Sequence, residues 1–290
     1  MRPAVMMRTL ALPSALAYNT RMPTSQRPLL SWVEREVLRC APIALRFFRS
    51  SSLHVERKPD RSPVTMADRL IEERLRRMIG RSFPGETILG EEFGRSGKAQ
   101  ATYWTIDPID GTRAFSRGLP SWGILVGRVE RGRATLGVCH FPVLGTTISV
   151  APGVRAYERT AGRTTWLRRP RRVGSLDDAV IFHGGLRWWR PTPYYPGFLR
   201  LARACYLERA YGDCYGYLWA FRGHADAVLD YGVKPWDLVP LAAIARATGR
   251  VLVDFSNQDS FSGPETVLAS PSFARLICHT LSPRGARART

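Results

Sequence analysis

Asp107-Pro108-Ile109-Asp110-Gly111-Thr112, with Tyr103-Trp104-Thr105-Ile106 immediately before it, is the stretch on which the fold of this 290-residue chain turns. Tyr103 to Ile106 are aromatic and β-branched, as a short strand requires, and the Pro and Gly that follow mark a turn. Two carboxylates three residues apart around a proline-stiffened turn face one point, and the Ile109 carbonyl between them can add a hard oxygen ligand. Such a donor set suits Mg²⁺. Gly111 permits close backbone approach, and a helix starting here would offer the N–H groups of Gly111 and Thr112 to an anion beside the metal. For an isolated D-x-x-D, an Asp-rich turn with side-chain caps is the simpler reading.

On the N-terminal side, Thr87-Ile88-Leu89 reads as another strand, delivering Glu91 and Glu92 at its end. Before it, Ala67, Leu70, Ile71, Leu75, Met78 and Ile79 keep a 3.6 period, which predicts a helix from Thr65 to Gly80 ended by Gly80 and the Phe83-Pro84-Gly85 turn. Thr65 and Asp68 form a capping pair at its start. A further helical pattern begins at Trp32 and is divided by Pro42. On the C-terminal side, Trp122 to Val129 and Arg133 to His140 are predicted as an antiparallel pair joined by Glu130-Arg131-Gly132. Strands at Ala179 to Phe182, Val228 to Tyr231 and Val251 to Phe255 follow, with a helix from Leu238 to Thr248 stopped at Gly249. This is an α/β (α+β) chain. The boundary between its halves is predicted near Pro152, giving a tail over 1–30, an N-terminal α/β subdomain over 31–152, a C-terminal one over 153–281 and a basic tail over 282–290.

Composition narrows the class. A hydrophobic content of 44% with 23% charged residues excludes disordered and collagenous chains. The formal charge of +19 calls for anionic partners without choosing among them. Arg155 to Arg172 holds seven arginines against Glu158 alone, a pattern that fits a solvated loop or hairpin better than a nucleic-acid stripe. Five cysteines, none in C-x-x-C, argue against a disulfide framework and for a reducing, cytoplasmic home. No apolar run reaches the roughly 18 to 20 residues that cross a bilayer, so no membrane partner is expected. Arg2, Arg8, Arg21 and Arg27 precede the first acid, Glu34. This composition fits an organellar transit peptide better than a secretory signal, and a plain tail or a start at Met7 or Met22 better than either.

Trp236-Asp237 opens an apolar helix far downstream, so Gly90-Glu91-Glu92, Asp107 to Thr112 and Trp236-Asp237 place acids at several element ends. Taken singly, Asp237 is an N-cap and Glu92 a surface acid. In this order and spacing, over roughly Trp32 to Leu281, the set resembles the inositol monophosphatase family of Mg²⁺-dependent, lithium-sensitive phosphatases. Lys58 to Asp68 (K-P-D-R-S-P-V-T-M-A-D) and Tyr211 to Tyr217 (Y-G-D-C-Y-G-Y) are most similar to its bacterial histidinol-phosphatase branch. Thr248-Gly249-Arg250 departs from the usual A-G-G, at a turn and not at a ligand. The resemblance implies a layered α/β/α/β/α sandwich, a homodimer, and two or three Mg²⁺ per site. It implies that Glu91, Asp107 and the Ile109 carbonyl hold one metal, and that Asp107, Asp110 and Asp237 hold a second. Glu91 and Thr112 would then orient the attacking water, with Asp68 behind Thr112. Gly111, Thr112, Asp213, Asp230 and Asp237 would contact substrate.

These readings converge on a phosphomonoesterase for a small phosphorylated substrate. Acids at 213 and 230 suit the ammonium and imidazole of L-histidinol phosphate, an intermediate of histidine biosynthesis, more than the hydroxyls of inositol phosphate. A 3′-phosphoadenosine nucleotide and a sugar phosphate are the other substrates considered, and Arg187 with Trp188-Trp189 are weaker pocket candidates. A basic nucleic-acid-binding protein on a phosphatase fold is the remote alternative, disfavoured because every ligand position is filled. The P-loop, H-E-x-x-H, G-x-S-x-G and G-x-G-x-x-G motifs are absent from the sequence.

Overall fold

A computed structural model describes residues 27–51 and 53–283. The expectations for the first 26 residues and for 284–290 lie outside it. The apolar stripe from Trp32 forms α1 (Arg27–Leu38) and α2 (Ala41–Phe47), broken just ahead of Pro42 as predicted. A hairpin of β1 (Val55–Arg57) and β2 (Pro63–Thr65) leads into α3 (Met66–Ser82). Helix α3 runs through Gly80 because the helix cap falls at Phe83, whose N–H reaches the Ile79 carbonyl at 2.7 Å.

Next come β3 (Thr87–Gly90), β4 (Gly94–Ser96), β5 (Tyr103–Asp110), α4 (Thr112–Ser116), β6 (Gly123–Glu130), β7 (Arg133–Phe141), β8 (Thr146–Ala151), β9 (Val154–Thr160) and β10 (Arg163–Trp166). All these strands join one sheet in the order β10-β9-β8-β7-β6-β5-β3-β4, antiparallel but for β3 against β5. The predicted β6–β7 pair is present, and the arginine-rich segment forms the β9–β10 hairpin. Pro152 falls in the turn between β8 and β9, two paired strands. The first sheet therefore continues past residue 152. The change of sheet comes between Trp166 and Val180, because the arginine-rich hairpin extends the first sheet and does not open a second.

The second sheet holds β11 (Val180–His183), β12 (Leu207–Arg209), β13 (Ala227–Tyr231), β14 (Val251–Val253) and β15 (Glu265–Ala269), ordered β12-β11-β13-β15-β14. Between these strands run α5 (Leu186–Trp189), α6 (Tyr195–Ala204), α7 (Asp213–Phe221), α8 (Pro235–Ala247) and, last, α9 (Pro271–Leu281). Strand alternation decides the layering. Ile124 and Val126 of β6 pack with α1, α2 and α3, whereas Leu125 of the same strand packs with α7 and α8. Phe182 and Val228 of the second sheet close the other side of α7 and α8, and Ile181 and Leu229 turn away toward α6 and α9. The result is the α/β/α/β/α sandwich. Helix α8 lies so close to the first sheet that a Cβ at Gly137 would stand 2.2 Å from the Pro240 carbonyl oxygen.

Strand β5 runs four residues past Thr105-Ile106 into the acidic motif, and there its pairing shifts. Asp107 faces Leu125 and Asp110 faces Gly123, so three steps on β5 match two on β6. In a regular strand, residues three apart point to opposite faces. The bulge restores Asp107 and Asp110 to one face while Ile109 turns into the helical core.

Candidate active site

Asp107 and Asp110 at the end of β5 meet Asp237 in the first turn of α8, each offering a carboxylate oxygen within 4.8 Å of the others. Each is oriented by the backbone. Asp107 Oδ1 accepts the Ile109 N–H at 3.1 Å, Asp237 Oδ2 accepts the Lys234 N–H at 2.8 Å, and Asp110 accepts the Cys214 N–H. Asp237 thus caps α8 from inside its first turn, and the N-cap position itself is Lys234. Burial pushes all three carboxyls above the ordinary range. The negative charge of Glu91 and of the other two acids adds to this for Asp107, and Asp237 rises to about 7. Packed this closely, the carboxylates of Asp107, Asp110 and Asp237 concentrate negative charge that a cation between them would relieve.

Glu91 stands beside this cluster on the turn after β3. Glu72 of α3, wholly buried and ion-paired to Arg76, holds that turn by accepting the N–H groups of Glu92 at 2.7 Å and Phe93 at 3.1 Å. The sequence reading passed over Glu72, and a buried acid at a helical core position was its only signal. Lys58, also unassigned from sequence, donates to Glu91 at 2.8 Å and to Glu92 at 2.7 Å, so Glu92 is neutralised here and not left on the surface. Burial opposes the Lys58 charge, but these two carboxylates hold its pKa above the ordinary lysine value.

Thr112 completes the metal side. Its hydroxyl lies 3.0 Å from the Ile109 carbonyl and 3.3 Å from Asp68 Oδ1, while Asp68 Oδ2 accepts the Thr65 N–H at 2.8 Å and the Thr65 hydroxyl at 2.6 Å. Asp68 therefore serves both as the predicted cap and as the partner of Thr112. Desolvation raises it to about 6, against the pull of the Thr65 donors. Gly111 adopts φ 88°, and a Cβ there would lie 2.8 Å from the Ser121 carbonyl, so only glycine fits. Helix α4 is a single turn, so any anion here depends on individual N–H groups and not on a helix dipole.

Lys58, Glu91, Asp107, Asp110, Gly111, Thr112 and Asp237 line one cavity of about 1090 Å³, with Asp68, Glu72 and Glu92 behind them. The same cavity is lined by Asp213 and Asp230. Asp213 opens α7 and reaches over Gly111, with Oδ2 3.3 Å from where a Cβ would sit. Surrounding protein raises its carboxyl, the Arg113 guanidinium opposes the rise, and the side chain is open to water in the cavity. Asp230 is buried, with Oδ2 lacking a hydrogen-bond partner, and its carboxyl is raised by desolvation and by Asp213. Of the weaker candidates Trp188 lines the cavity, whereas Trp189 is a fully buried core residue stacked on Phe198 and Arg187 lies outside the lining. Among the described residues, no histidine lines the cavity. The guanidinium of Arg250, where the family has glycine, fills a buried slot and donates to the Ala220 and Arg168 carbonyls.

Three converging carboxylates form a hard oxygen donor set that a divalent cation fits. Such a cluster opening onto a cavity sized for a small molecule suits a metal-dependent phosphoric monoester hydrolase, and the similarities to known proteins place the chain in that class. The chain belongs to the inositol monophosphatase family, whose model matches residues 26–284. It is 34% identical over 217 residues to histidinol-phosphatase of Mycobacterium tuberculosis, covering 75% of this chain and 82% of that one. Histidinol-phosphatase of Streptomyces coelicolor is 31% identical, covering 79% and 86%. Among solved structures, an inositol monophosphatase from Zymomonas mobilis superposes with a TM-score of 0.77 at 26% identity, over 89% of this chain and 99% of that one. No helix among the described residues is long and apolar enough to cross a membrane.

Proposed function

We propose that this enzyme hydrolyses L-histidinol phosphate to L-histidinol and phosphate in an Mg²⁺-dependent reaction. The observation that carries the substrate is the acidic wall beside the three-carboxylate cluster: Asp213 and Asp230 line the same cavity, and among the described residues Asp230 Oδ2 has no hydrogen-bond partner. An ammonium or imidazolium satisfies that wall, whereas a neutral polyol leaves buried carboxylates unpaired. The similarity to two histidinol-phosphatases supports the same substrate.

In this reading Glu91, Asp107 and the Ile109 carbonyl hold one Mg²⁺, and Asp107, Asp110 and Asp237 hold another, with two or three ions per site. Bound Mg²⁺ supplies a water of lowered pKa and neutralises charge on the phosphoryl oxygens. The chain's own residues do the rest. Thr112 spends its proton on Asp68 or the Ile109 carbonyl, so its lone pairs accept from the attacking water, which Glu91 holds from the other side. Asp68 fixes the Thr112 rotamer, and Asp213 and Asp230 orient the cationic end so that the phosphate meets the N–H groups at Gly111 and Thr112. A homodimer is part of the proposal, and light scattering of the purified protein tests it. The proposal fails if purified enzyme turns over inositol monophosphate faster than histidinol phosphate.

A further inference from the structure

We infer that the outer edge of the eight-stranded sheet is a binding surface for single-stranded nucleic acid, separate from the phosphatase site. Strand β10 ends the sheet, so one side of its backbone has no partner strand. Along β9, β10 and the segment that follows, Arg155, Arg163, Arg168, Arg169 and Arg172 are exposed, and among the described residues none has a carboxylate within ion-pair distance. Glu158, the sole acid of the stretch, is already held by Arg222 at 2.7 Å. Arg171 is likewise spent on Asp226 and Asp178.

Five like charges with no carboxylate partner among the described residues repel one another, and a polyanion laid along them releases its own counter-ions in return. Charge alone would suit any polyphosphate. Trp166 narrows the choice. At the end of β10 this residue is 48% exposed, the Arg155 guanidinium lies over its ring at 5.0 Å, and Tyr157 meets it edge-on at 6.4 Å. An exposed indole braced by a guanidinium offers a flat surface to a base, and base faces are free in a single strand but hidden in a duplex. None of these six side chains lines the catalytic cavity, so occupancy here does not require a change in the phosphatase site. Sequence reading set nucleic acid aside because the ligand set is complete, but a complete active site says nothing about a surface on the far edge of the sheet.

Fluorescence anisotropy of a labelled, unstructured 20-nucleotide RNA with the full chain tests the inference. Saturable binding is expected at 50 mM NaCl and should weaken steeply toward 200 mM. Arg163→Ala with Arg168→Ala and Arg169→Ala should raise Kd at least about tenfold and flatten the log–log salt slope by roughly 2. Trp166→Ala should raise Kd for RNA about tenfold and leave binding of inorganic polyphosphate unchanged. Both variants should retain parental phosphatase turnover, which shows that they are folded. Absence of binding at 50 mM NaCl, or equal RNA binding by parent and triple variant, overturns the inference. Equal effects of Trp166→Ala on RNA and polyphosphate, or preference for anionic vesicles over RNA, overturn the nucleic-acid assignment.

Discussion

Thr112 and Asp68, 44 residues apart in sequence, meet with the Thr112 hydroxyl 3.3 Å from Asp68 Oδ1. One carboxylate thereby joins the start of α3 to the start of α4, just past β5, and its other oxygen is occupied by Thr65. Asp68→Asn is expected to lower kcat by roughly tenfold or more while KM stays within about twofold, because orientation is lost and binding is not. It should also cost about 1 kcal/mol of stability through the weakened cap. Steady-state kinetics and a denaturant curve separate the two effects; a rise in KM alone would contradict the positioning role.

Asp107→Asn and Asp110→Asn address the cation cluster. Each should reduce turnover by roughly 10³-fold or more, since phosphate-ester hydrolysis is extremely slow without metal assistance. In EDTA each should melt no lower than the parent, because a neutral amide relieves mutual repulsion. Parental turnover in either variant would remove the cluster from the mechanism.

Stability without metal should fall as pH rises. Asp237 and Glu92 titrate near 7 in the folded protein, and Asp107 and Asp110 are also raised, so the folded state binds more protons than the unfolded chain around neutrality. With raised folded pKa values, the stabilisation is present at low pH and lost as pH passes through them. Buried His140, lowered to about 4, has the opposite effect below the unfolded histidine pKa of about 6.5, which sets the lower end of the window. Between pH 6.5 and 8.5 in EDTA the melting temperature should therefore drop, and Mg²⁺ should suppress that drop. Scanning calorimetry across this range decides it, and a flat or rising profile in EDTA would count against the buried acidic cluster.

Gly137→Ala probes the contact between β7 and α8. A Cβ there would stand 2.2 Å from the backbone oxygen of Pro240, which cannot move aside as a flexible side chain would. A loss of about 3 kcal/mol is expected, with Mg²⁺ affinity weakened as Asp237 at the head of α8 is displaced. Urea unfolding and Mg²⁺ titration by calorimetry measure both.

Asp213→Asn tests the substrate wall. It should lower kcat/KM for histidinol phosphate by roughly 10- to 100-fold, as expected when one partner of a charge pair is lost, and should change that for an uncharged phosphomonoester little. Equal losses on both substrates would make Asp213 a structural residue of the α7 turn.

Most of the architecture was legible because periodicity and turn residues agree along this chain, as in the strand before Asp107 and the helix after Thr65. The acidic motifs were legible because their spacing is tied to element ends. Four things were hidden for physical reasons. The bulge at Asp107 and Asp110 is a property of the β5–β6 pairing, not of either strand alone. The Lys58 bridge and the Glu72 clamp join residues 33 and 20 positions apart, and no local pattern reports such contacts. Strand β8 went unread because its Thr-Thr-Ile-Ser-Val-Ala run is buried on both faces and lacks alternation. Trp188 and Trp189 were indistinguishable in sequence, and the one-turn helix α5 sends the first to the cavity and the second to the core.

The most direct test is phosphate release by the purified enzyme on histidinol phosphate, inositol monophosphate and 3′-phosphoadenosine 5′-phosphate, each with Mg²⁺ and with EDTA. Fastest turnover of histidinol phosphate, abolished by EDTA, is the predicted result; faster turnover of either other substrate, or activity that survives EDTA, would contradict it.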